Sequence, residues 1–200
     1  MKNTIRNTKK GILMVTMFAT MLSFANDASL FNIKNDAKRT ALTLYNVKKG
    51  NLLSIKDMNG VILFKEYLQV TGKYTKGFDL TELPNGAYMF ELVKDLEINS
   101  VPFTVTSNIV VFEKEKEKTI YKPLVRVKGD LVYITKLSLD EAPLKIDIYF
   151  TGYGESELVF SESLKDTKTI ERIYKLDGLK FGEYKIVFNT EGRQFTKVIN

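Results

Sequence analysis

One eleven-residue pattern occurs twice in this chain of 200 residues, and it constrains the fold more than any other feature. The pattern reads aromatic-x-Leu-x-x-Leu-x-x-Gly-x-Tyr; it spans residues 78–88 and returns, 96 positions later, at residues 174–184. Each copy leads directly into a strand-like alternation of apolar residues. Self-similarity at a long, fixed spacing is typical of tandem structural units. The sequence therefore predicts two related domains.

Residues 1–25 have the composition of a secretory signal peptide. An almost uncharged apolar run at 11–24 follows a basic segment. The four basic residues of that segment are Lys2, Arg6, Lys9 and Lys10. Ser23 and Ala25 supply small side chains before a cleavage point ahead of Asn26. The alternative is an uncleaved membrane anchor, but this run is shorter than the roughly 20 residues that span a bilayer. We therefore expect cleavage and export, with the protein in the periplasm, at the cell surface or outside the cell.

Removal of this segment lowers the net charge of the chain. It carries four of the 30 basic residues and none of the 24 acidic ones, which leaves 26 basic against 24 acidic residues and a net charge of +2. Nucleic-acid binding usually needs a strongly basic face, so no nucleic-acid partner is expected. The chain has no cysteine, so an exported form is stabilised by its core without disulfides. No second apolar stretch approaches membrane length, so no integral span is expected in the mature chain.

Short alternating segments separated by turn residues predict an all-β fold. No stretch after residue 25 keeps a helical period for three turns. The predicted organisation is a polar N-terminal segment at 26–39, a β-sandwich at 40–112, a charged linker at 113–118 and a second β-sandwich at 119–200. The linker alternates six charges and is interpreted as a solvated connection or an exposed strand end; a binding patch is the alternative.

A hairpin is predicted at residues 52–66, with its turn at Asp57, Asn59 and Gly60. A two-residue loop would pair Ile55 with Phe64. A three-residue loop with Gly60 in the left-handed conformation would instead place four apolar residues on one face, and this option is preferred. Those four residues are Leu53, Ile55, Val61 and Leu63.

The repeated pattern has a structural explanation that needs no ligand. In Greek-key sandwiches a tyrosine near the start of a strand donates its hydroxyl hydrogen bond to the backbone a few residues upstream, which forms a tyrosine corner. The pattern supplies apolar anchors before the tyrosine and a glycine that can take an unusual backbone angle. The predicted residues are Leu80, Leu83, Gly86 and Tyr88 in the first copy, and Leu176, Leu179, Gly182 and Tyr184 in the second.

The order strand, Asp-x-x-Gly hairpin, Leu-x-x-Leu-x-x-Gly-x-Tyr, strand at residues 42–105 resembles the C-terminal sorting domain of type IX secretion in Bacteroidota. Residues 125–200 resemble it more loosely, because the second unit lacks a clear Asp-x-x-Gly hairpin. The family consists of small immunoglobulin-like sandwiches that direct exported cargo through the outer membrane. The resemblance implies this fold and a role in that export route. Fibronectin-type domains share much of the same pattern.

The residue types exclude several kinds of chemistry. The chain has no histidine and no cysteine, which removes histidine-based nucleophile systems and the usual zinc, copper and haem ligands. Glu155, Glu157 and Glu162 lie near the loop at 152–154 and are the only carboxylate cluster close to an aromatic residue, so a carboxylate glycosidase is a remote alternative. The hairpin at Asp57 lacks the downstream ligands of a calcium loop. We therefore expect no enzyme activity, no cofactor and no metal site.

Binding is the function that the sequence leaves open. Tyr149, Tyr153 and Phe181 are candidates for an exposed aromatic surface on the second unit, since loops at the ends of a sandwich carry specificity. The alternative is a set of isolated surface aromatics. The partner would be a protein or a carbohydrate of the cell envelope. Three hypotheses follow: a non-catalytic interaction or structural protein, a type IX sorting-like protein and, remotely, a carboxylate enzyme. Pairing of free edge strands also leaves dimerisation open.

Overall fold

The computed structural model describes residues 30–36, 39–177 and 181–200. Among these residues the chain forms sixteen strands and one 3₁₀ turn at Lys114–Lys116, with no α-helix. The predicted all-β class is confirmed. The strands are β1 (Phe31–Asp36), β2 (Arg39–Val47), β3 (Leu52–Asp57), β4 (Ile62–Tyr67), β5 (Gly72–Phe78), β6 (Gly86–Val93), β7 (Glu97–Thr106), β8 (Ile109–Phe112), β9 (Lys118–Tyr121), β10 (Leu124–Lys128), β11 (Leu131–Leu137), β12 (Leu144–Thr151), β13 (Ser156–Leu164), β14 (Thr169–Lys175), β15 (Glu183–Thr190) and β16 (Arg193–Ile199).

The first hydrophobic core lies between two antiparallel sheets. Sheet A has the strand order β1-β2-β5, and sheet B has the order β4-β3-β6-β7-β8, with β9 also paired to β7. Alternate side chains of these strands enter one cluster, because successive residues of a strand point to opposite faces. Phe90 and Phe103 lie at its centre with ring centroids 5.4 Å apart. The apolar alternations of β6 and β7 face this core; their buried residues are Tyr88, Phe90, Leu92, Val101, Phe103 and Val105.

A second core lies between sheets C and D and shares no residue with the first. Sheet C has the order β10-β11-β14, and sheet D has the order β13-β12-β15-β16. The unbroken apolar alternation of β12 faces this core, and Leu144 and Ile146 are fully buried there. Ile186 and Phe188 of β15 complete the centre of the cluster.

The two pairs of sheets repeat one connection pattern. Strands β10 to β16 take the places of β1 to β7, so that β1-β2-β5 corresponds to β10-β11-β14, and β4-β3-β6-β7 to β13-β12-β15-β16. In both halves the chain therefore crosses between sheets after the second, fourth and fifth strands. β8 and β9 have no counterpart among the described strands of the second half.

Strand β1 lies inside the segment at 26–39 that was predicted to be a polar lead-in. It pairs with β2 along its whole length, and Phe31 and Ile33 are buried in the first core. Two apolar positions in six residues are a weak sequence signal, and pairing with β2 supplies the backbone hydrogen bonds that stabilise the strand. The polar description of this segment is thus wrong for residues 31–36.

Strand β9 also differs from the predicted division of the chain at residue 119. It pairs with the first half of β7, whereas β8 pairs with the second half, and Ile120 is buried. Pro102 stands between the two paired stretches. Proline lacks the N–H that a ladder needs, and here its carbonyl accepts a hydrogen bond from the Glu113 N–H at 3.0 Å. The segment of alternating charges at 113–118 therefore leaves sheet B as the 3₁₀ turn, and the chain rejoins the sheet in β9.

The hairpin between β3 and β4 has Gly60 in the left-handed conformation, with φ at 84°. Ile55 nevertheless pairs with Phe64. The next pair is Lys56 with Ile62, so Leu63 of β4 is the extra residue of a β-bulge between the two pairs. The predicted apolar face is therefore wrong: Val61 and Leu63 are exposed. A bulge adds one residue to one strand, so it shifts every later side chain to the other face.

Candidate binding surface

Each repeated tyrosine lies at the start of a central strand with its hydroxyl turned back to the preceding loop. The Tyr88 hydroxyl donates to the Pro84 carbonyl oxygen at 2.8 Å, and the Tyr184 hydroxyl donates to the Asp177 carbonyl oxygen at 2.6 Å. Both rings are buried. This hydrogen bond to the backbone upstream is the geometry of a tyrosine corner. It holds the loop that crosses from one sheet to the other.

The structure describes three of the four apolar anchors predicted for the two copies of the motif. Leu80 and Leu176 are buried, and Leu83 packs at the margin of the first core. Leu179 lies outside the described residues, as does the predicted signal peptide at 1–25.

Neither motif glycine has an unusual backbone angle, and only Gly182 is required for space. Neither Gly86 nor Gly182 has a positive φ, so the predicted reason for them is wrong. A Cβ at Gly86 would lie 3.4 Å from the Tyr88 hydroxyl oxygen. A Cβ at Gly182 would lie 2.3 Å from the carbonyl oxygen of Thr151, a distance that no real side chain adopts. Close packing of backbone against a neighbour therefore selects glycine at Gly182, whereas the contact at Gly86 is an ordinary van der Waals distance.

The close approach at Gly182 brings two loops of the second half together. The backbone of Phe181 lies beside Gly152, and the ring of Phe150 packs against both glycines. Phe150 itself contacts the ring of Tyr184 at a centroid distance of 4.9 Å. The loop between β12 and β13 and the segment before β15 are thus anchored on the rim of the second core.

Two aromatic side chains project from these anchored loops into solvent. Tyr153 is 98% exposed and Phe181 is 66% exposed. Together with Tyr149 they form what we call the aromatic end: Tyr149, Tyr153 and Phe181. Tyr149 is half-buried on the outer face of sheet D, near the same end of β12, and the Lys185 ammonium lies 5.0 Å from its ring centroid. The structure therefore places all three candidates at one end of the second pair of sheets.

A cluster that sequence reasoning missed closes the open side of the first pair of sheets. Glu66 of β4 accepts hydrogen bonds from the Tyr74 hydroxyl, at 2.9 Å, and from the Lys76 ammonium, both on β5. The rings of Phe64 and Phe78 meet edge to face at 5.2 Å beside it. β4 belongs to sheet B and β5 to sheet A, so these contacts connect the edges of the two sheets.

The second half has the same kind of cluster. Glu162 of β13 accepts hydrogen bonds from Arg172, at 3.2 Å, and from the Tyr174 hydroxyl. Phe160 packs on the Tyr174 ring at 5.4 Å. Phe64 and Phe160, Glu66 and Glu162, and Lys76 and Arg172 are each 96 positions apart, the spacing of the repeated motif. That spacing was the signal from which these residues could have been found.

The two clusters also shift the pKa values of three of their side chains. The hydrogen bond from Lys76 holds the pKa of the Glu66 carboxyl below its usual value, against the effect of burial. Burial, followed by the hydrogen bond to Glu66, raises the pKa of Tyr74. Burial and the hydrogen bond to Glu162 raise the pKa of Tyr174 in the same way. The Glu66 carboxylate therefore remains charged, and Tyr74 and Tyr174 remain neutral, across the neutral range.

Charged side chains connect the two halves of the chain. The Glu91 side chain is only 1% exposed; it pairs with Lys56 of its own sheet at 2.6 Å and with Arg193 of β16. Burial pushes the pKa of Glu91 up, but the hydrogen bonds from Lys56 and Arg193 outweigh it and leave the pKa below its usual value. Glu91 lies on the outer face of sheet B, so the turn before β16 packs against that face.

A second buried carboxylate lies in the same turn. Glu191 pairs with Lys118 of β9 at 2.8 Å and with Lys136 of β11 at 3.3 Å. The side chain of Lys136 has no exposed surface. Because Lys118 belongs to a strand of sheet B and Lys136 to sheet C, this carboxylate also bridges the two halves.

The remaining candidate residues are arranged as follows. Glu155 and Glu157 are exposed, whereas Glu162 is engaged in the cluster with Arg172 and Tyr174. The Asp57 carboxylate accepts hydrogen bonds from the backbone N–H groups of Asn59 and Val61, at 2.9 and 2.8 Å. This arrangement is a turn that a side chain stabilises locally.

Comparisons with known proteins add little to this description. No family model matches the chain, and no curated protein matches it. Thirty-seven chains of solved structures match it. One of these, described as "Biofilm associated protein - BSP domain", has a TM-score of 0.25 and 7% sequence identity over 85% of this chain. The match covers 29% of that chain. In the part of the sequence that the structure describes, no helix is long and apolar enough to cross a membrane.

Proposed function

We propose that this protein is an exported, non-catalytic interaction protein built of two immunoglobulin-like modules. The repeated connection of three strands in one sheet and four in the other, with a tyrosine at the start of β6 and of β15, supports the assignment of both modules. Export rests on the signal-like segment at 1–25. The partner is a protein or a carbohydrate of the cell envelope.

The observation that carries the proposal is the exposure of Tyr153 and Phe181 on anchored loops. Gly152 and Gly182 hold the loop backbones against the rim of the core, yet the two rings contribute almost nothing to that core. Exposed aromatic groups on a rigid support lose little conformational entropy on binding and offer large apolar contacts, to which the Tyr153 hydroxyl adds a hydrogen-bonding group. Such groups are typical of interaction surfaces.

The proposal is tested with a double variant, Tyr153→Ala with Phe181→Ala. The purified protein is immobilised and exposed separately to the polysaccharide and to the protein fraction of the bacterial envelope. We expect wild type to retain a component from one fraction and the double variant to lose it. Tyr45→Ala removes an exposed tyrosine from sheet A and serves as the control, which should bind like wild type. Equal retention by wild type and the double variant would contradict the proposal.

A second candidate, a sorting-like role in type IX secretion, is supported by the geometry of the residues that carry the resemblance. The turn at Asp57 and the corner at Tyr88 are both formed in the first module. The two roles predict different locations for the mature protein and different processing of its C-terminus. Fractionation of the producing bacterium, with sequencing of both ends of the mature protein, separates them. A protein that keeps its C-terminal module in the periplasm excludes sorting, whereas surface location with that module removed supports it.

A further inference from the structure

Two edge strands expose apolar side chains in a continuous run. β4 is the outermost strand of sheet B, and β13 is the outermost strand of sheet D. Ile62 and Leu63 of β4 are 49% and 47% exposed, and Leu158 and Val159 of β13 are 54% and 51% exposed. An edge strand presents unpaired N–H and C=O groups, and an apolar edge is a template for pairing with another chain. β13 carries no proline and no lysine, the residues that usually block such pairing.

The two edges carry the same irregularity. Each carries a β-bulge at the residue before its phenylalanine, which is Leu63 in β4 and Val159 in β13. A bulge increases the local twist of a strand. Because both bulges occupy corresponding positions, both edges are twisted at the same point.

The two edges also match in charge and in the order of their residues. One antiparallel register places Ile62 opposite Phe160, Leu63 opposite Val159, Phe64 opposite Leu158, and Lys65 opposite Glu157. It pairs three apolar residues with three apolar residues and a cation with an anion. Lys65 and Glu157 are both exposed, and neither forms an ion pair among the described residues. Opposite charges directly across two strands stabilise their pairing.

We propose that copies of this protein associate head to tail, by antiparallel pairing of β4 of one copy with β13 of the next. The two edges lie on different modules, so the contact is heterologous and each copy keeps one edge free for a further copy. Pairing of β13 with a second β13 brings Glu157 and Glu162 of both strands together and is opposed by like charges. The inference is independent of the aromatic end.

Charge reversal at the two edges tests the proposal. Wild type should show a concentration-dependent series of oligomers in sedimentation experiments from about 1 µM to 1 mM. Lys65→Glu alone and Glu157→Lys alone should each weaken association roughly tenfold or more. An equimolar mixture of the two variants should restore it, because the first variant keeps Glu157 and the second keeps Lys65. Lys197→Glu reverses an exposed charge on the opposite edge of sheet D and should behave like wild type.

Hydrogen exchange of the unmodified protein tests the same contact without any variant. As concentration rises, backbone amides of both β4 and β13 should become protected together. Protection of β13 alone would indicate pairing of identical edges and would overturn the proposal. A wild-type protein that stays monomeric at every concentration, or single variants that associate as well as wild type, would also overturn it.

Discussion

Tyr88 contributes to the fold through one hydroxyl group whose partner is a backbone carbonyl. Replacement by phenylalanine keeps the ring and leaves the Pro84 carbonyl without this donor. We expect Tyr88→Phe to lower the free energy of unfolding by roughly 1 to 3 kcal/mol, measured by denaturant titration. Tyr67→Phe, which changes an exposed tyrosine, should leave it nearly unchanged. Equal midpoints for Tyr88→Phe and wild type would show that the corner contributes nothing to stability.

Gly182 is restricted by its neighbours and not by its backbone angle. Gly182→Ala places a Cβ 2.3 Å from the Thr151 carbonyl oxygen, so the anchored loop must move. We expect a loss of about 1 to 3 kcal/mol in the free energy of unfolding, as for other overpacked sites. Gly154→Ala is a matched control, since no atom lies within 4 Å of its Cβ. Thermal unfolding of both variants measures the difference, and equal effects would contradict the packing argument.

Glu66 makes part of the stability of the first half of the chain dependent on pH. The Lys76 ammonium lowers the pKa of this carboxyl in the folded state, below the value of about 4.3 in an unfolded chain. The carboxylate therefore stabilises the fold above that pH, and the contribution is lost as the pH falls through the folded-state pKa. The stability difference between wild type and Glu66→Gln should be largest near neutral pH and shrink below about pH 4.

Glu82→Gln is the control for this pH dependence, because Glu82 is exposed. It removes a carboxyl that has no ion pair among the described side chains. Its stability relative to wild type should change little between neutral and acidic pH. A Glu66→Gln difference that is independent of pH would contradict the role given to the Lys76 pair.

At the scale of elements, the open sides of the two pairs of sheets are closed by side chains and not by backbone. β4 and β5 lie in different sheets, as do β13 and β14, so no ladder connects them. In each pair a carboxylate on one edge strand accepts hydrogen bonds from a tyrosine and a cation on the other. The cation is Lys76 in the first half and Arg172 in the second. The carboxylate and the cation recur at the spacing of the repeated motif, which is consistent with repetition of the same structural unit in both halves.

Strand β9 is a second element-scale feature with a measurable consequence. Its four residues pair with residues 97–100 of β7, although the preceding charged segment has the composition of a solvated linker. Backbone amides of β9 that join the ladder should therefore exchange with solvent far more slowly than those of the 3₁₀ turn at Lys114–Lys116. Hydrogen exchange resolved to single residues measures this. Equally fast exchange in both segments would show that the chain separates there.

For the whole molecule, the contact between the halves includes ion pairs whose carboxylates, Glu91 and Glu191, are buried. Arg193→Ala leaves the Glu91 carboxylate with Lys56 as its only cation among the described residues. Truncation of one partner of a buried, hydrogen-bonded pair costs about 2 to 5 kcal/mol. We expect destabilisation of that order in denaturant titrations, and a larger radius of gyration in solution scattering because the halves separate.

Lys48→Ala is the matched control for the contact between the halves. It breaks the pair with Asp95, in which both side chains are about two-thirds exposed. Such surface pairs contribute little, so stability should change by less than about 1 kcal/mol and the radius should not change. An unchanged radius in Arg193→Ala would show that other contacts fix the orientation of the halves.

The aromatic end shows how far sequence reasoning reached for the candidate site. The sequence made Tyr153 and Phe181 candidates because they are aromatic residues of the predicted second sandwich, whose end loops are expected to carry specificity. Their proximity was not predictable, since it depends on Gly152 and Gly182 packing on Phe150 across 30 positions of sequence. The clusters at Glu66 and Glu162 were missed because each combines strands of different sheets, and only their common spacing relates them.

Local patterns in the sequence by themselves determined the all-β class, the inward faces of β6, β7 and β12, and the repetition of the chain. These features depend on alternation and on short motifs, which act between neighbours and are visible in one dimension. The tertiary structure alone decided the place of β1 and β9, the bulges of β4 and β13, and the burial of Glu91. Each of these depends on which strands become neighbours, and that choice minimises unpaired backbone groups and uncompensated charges over the whole molecule.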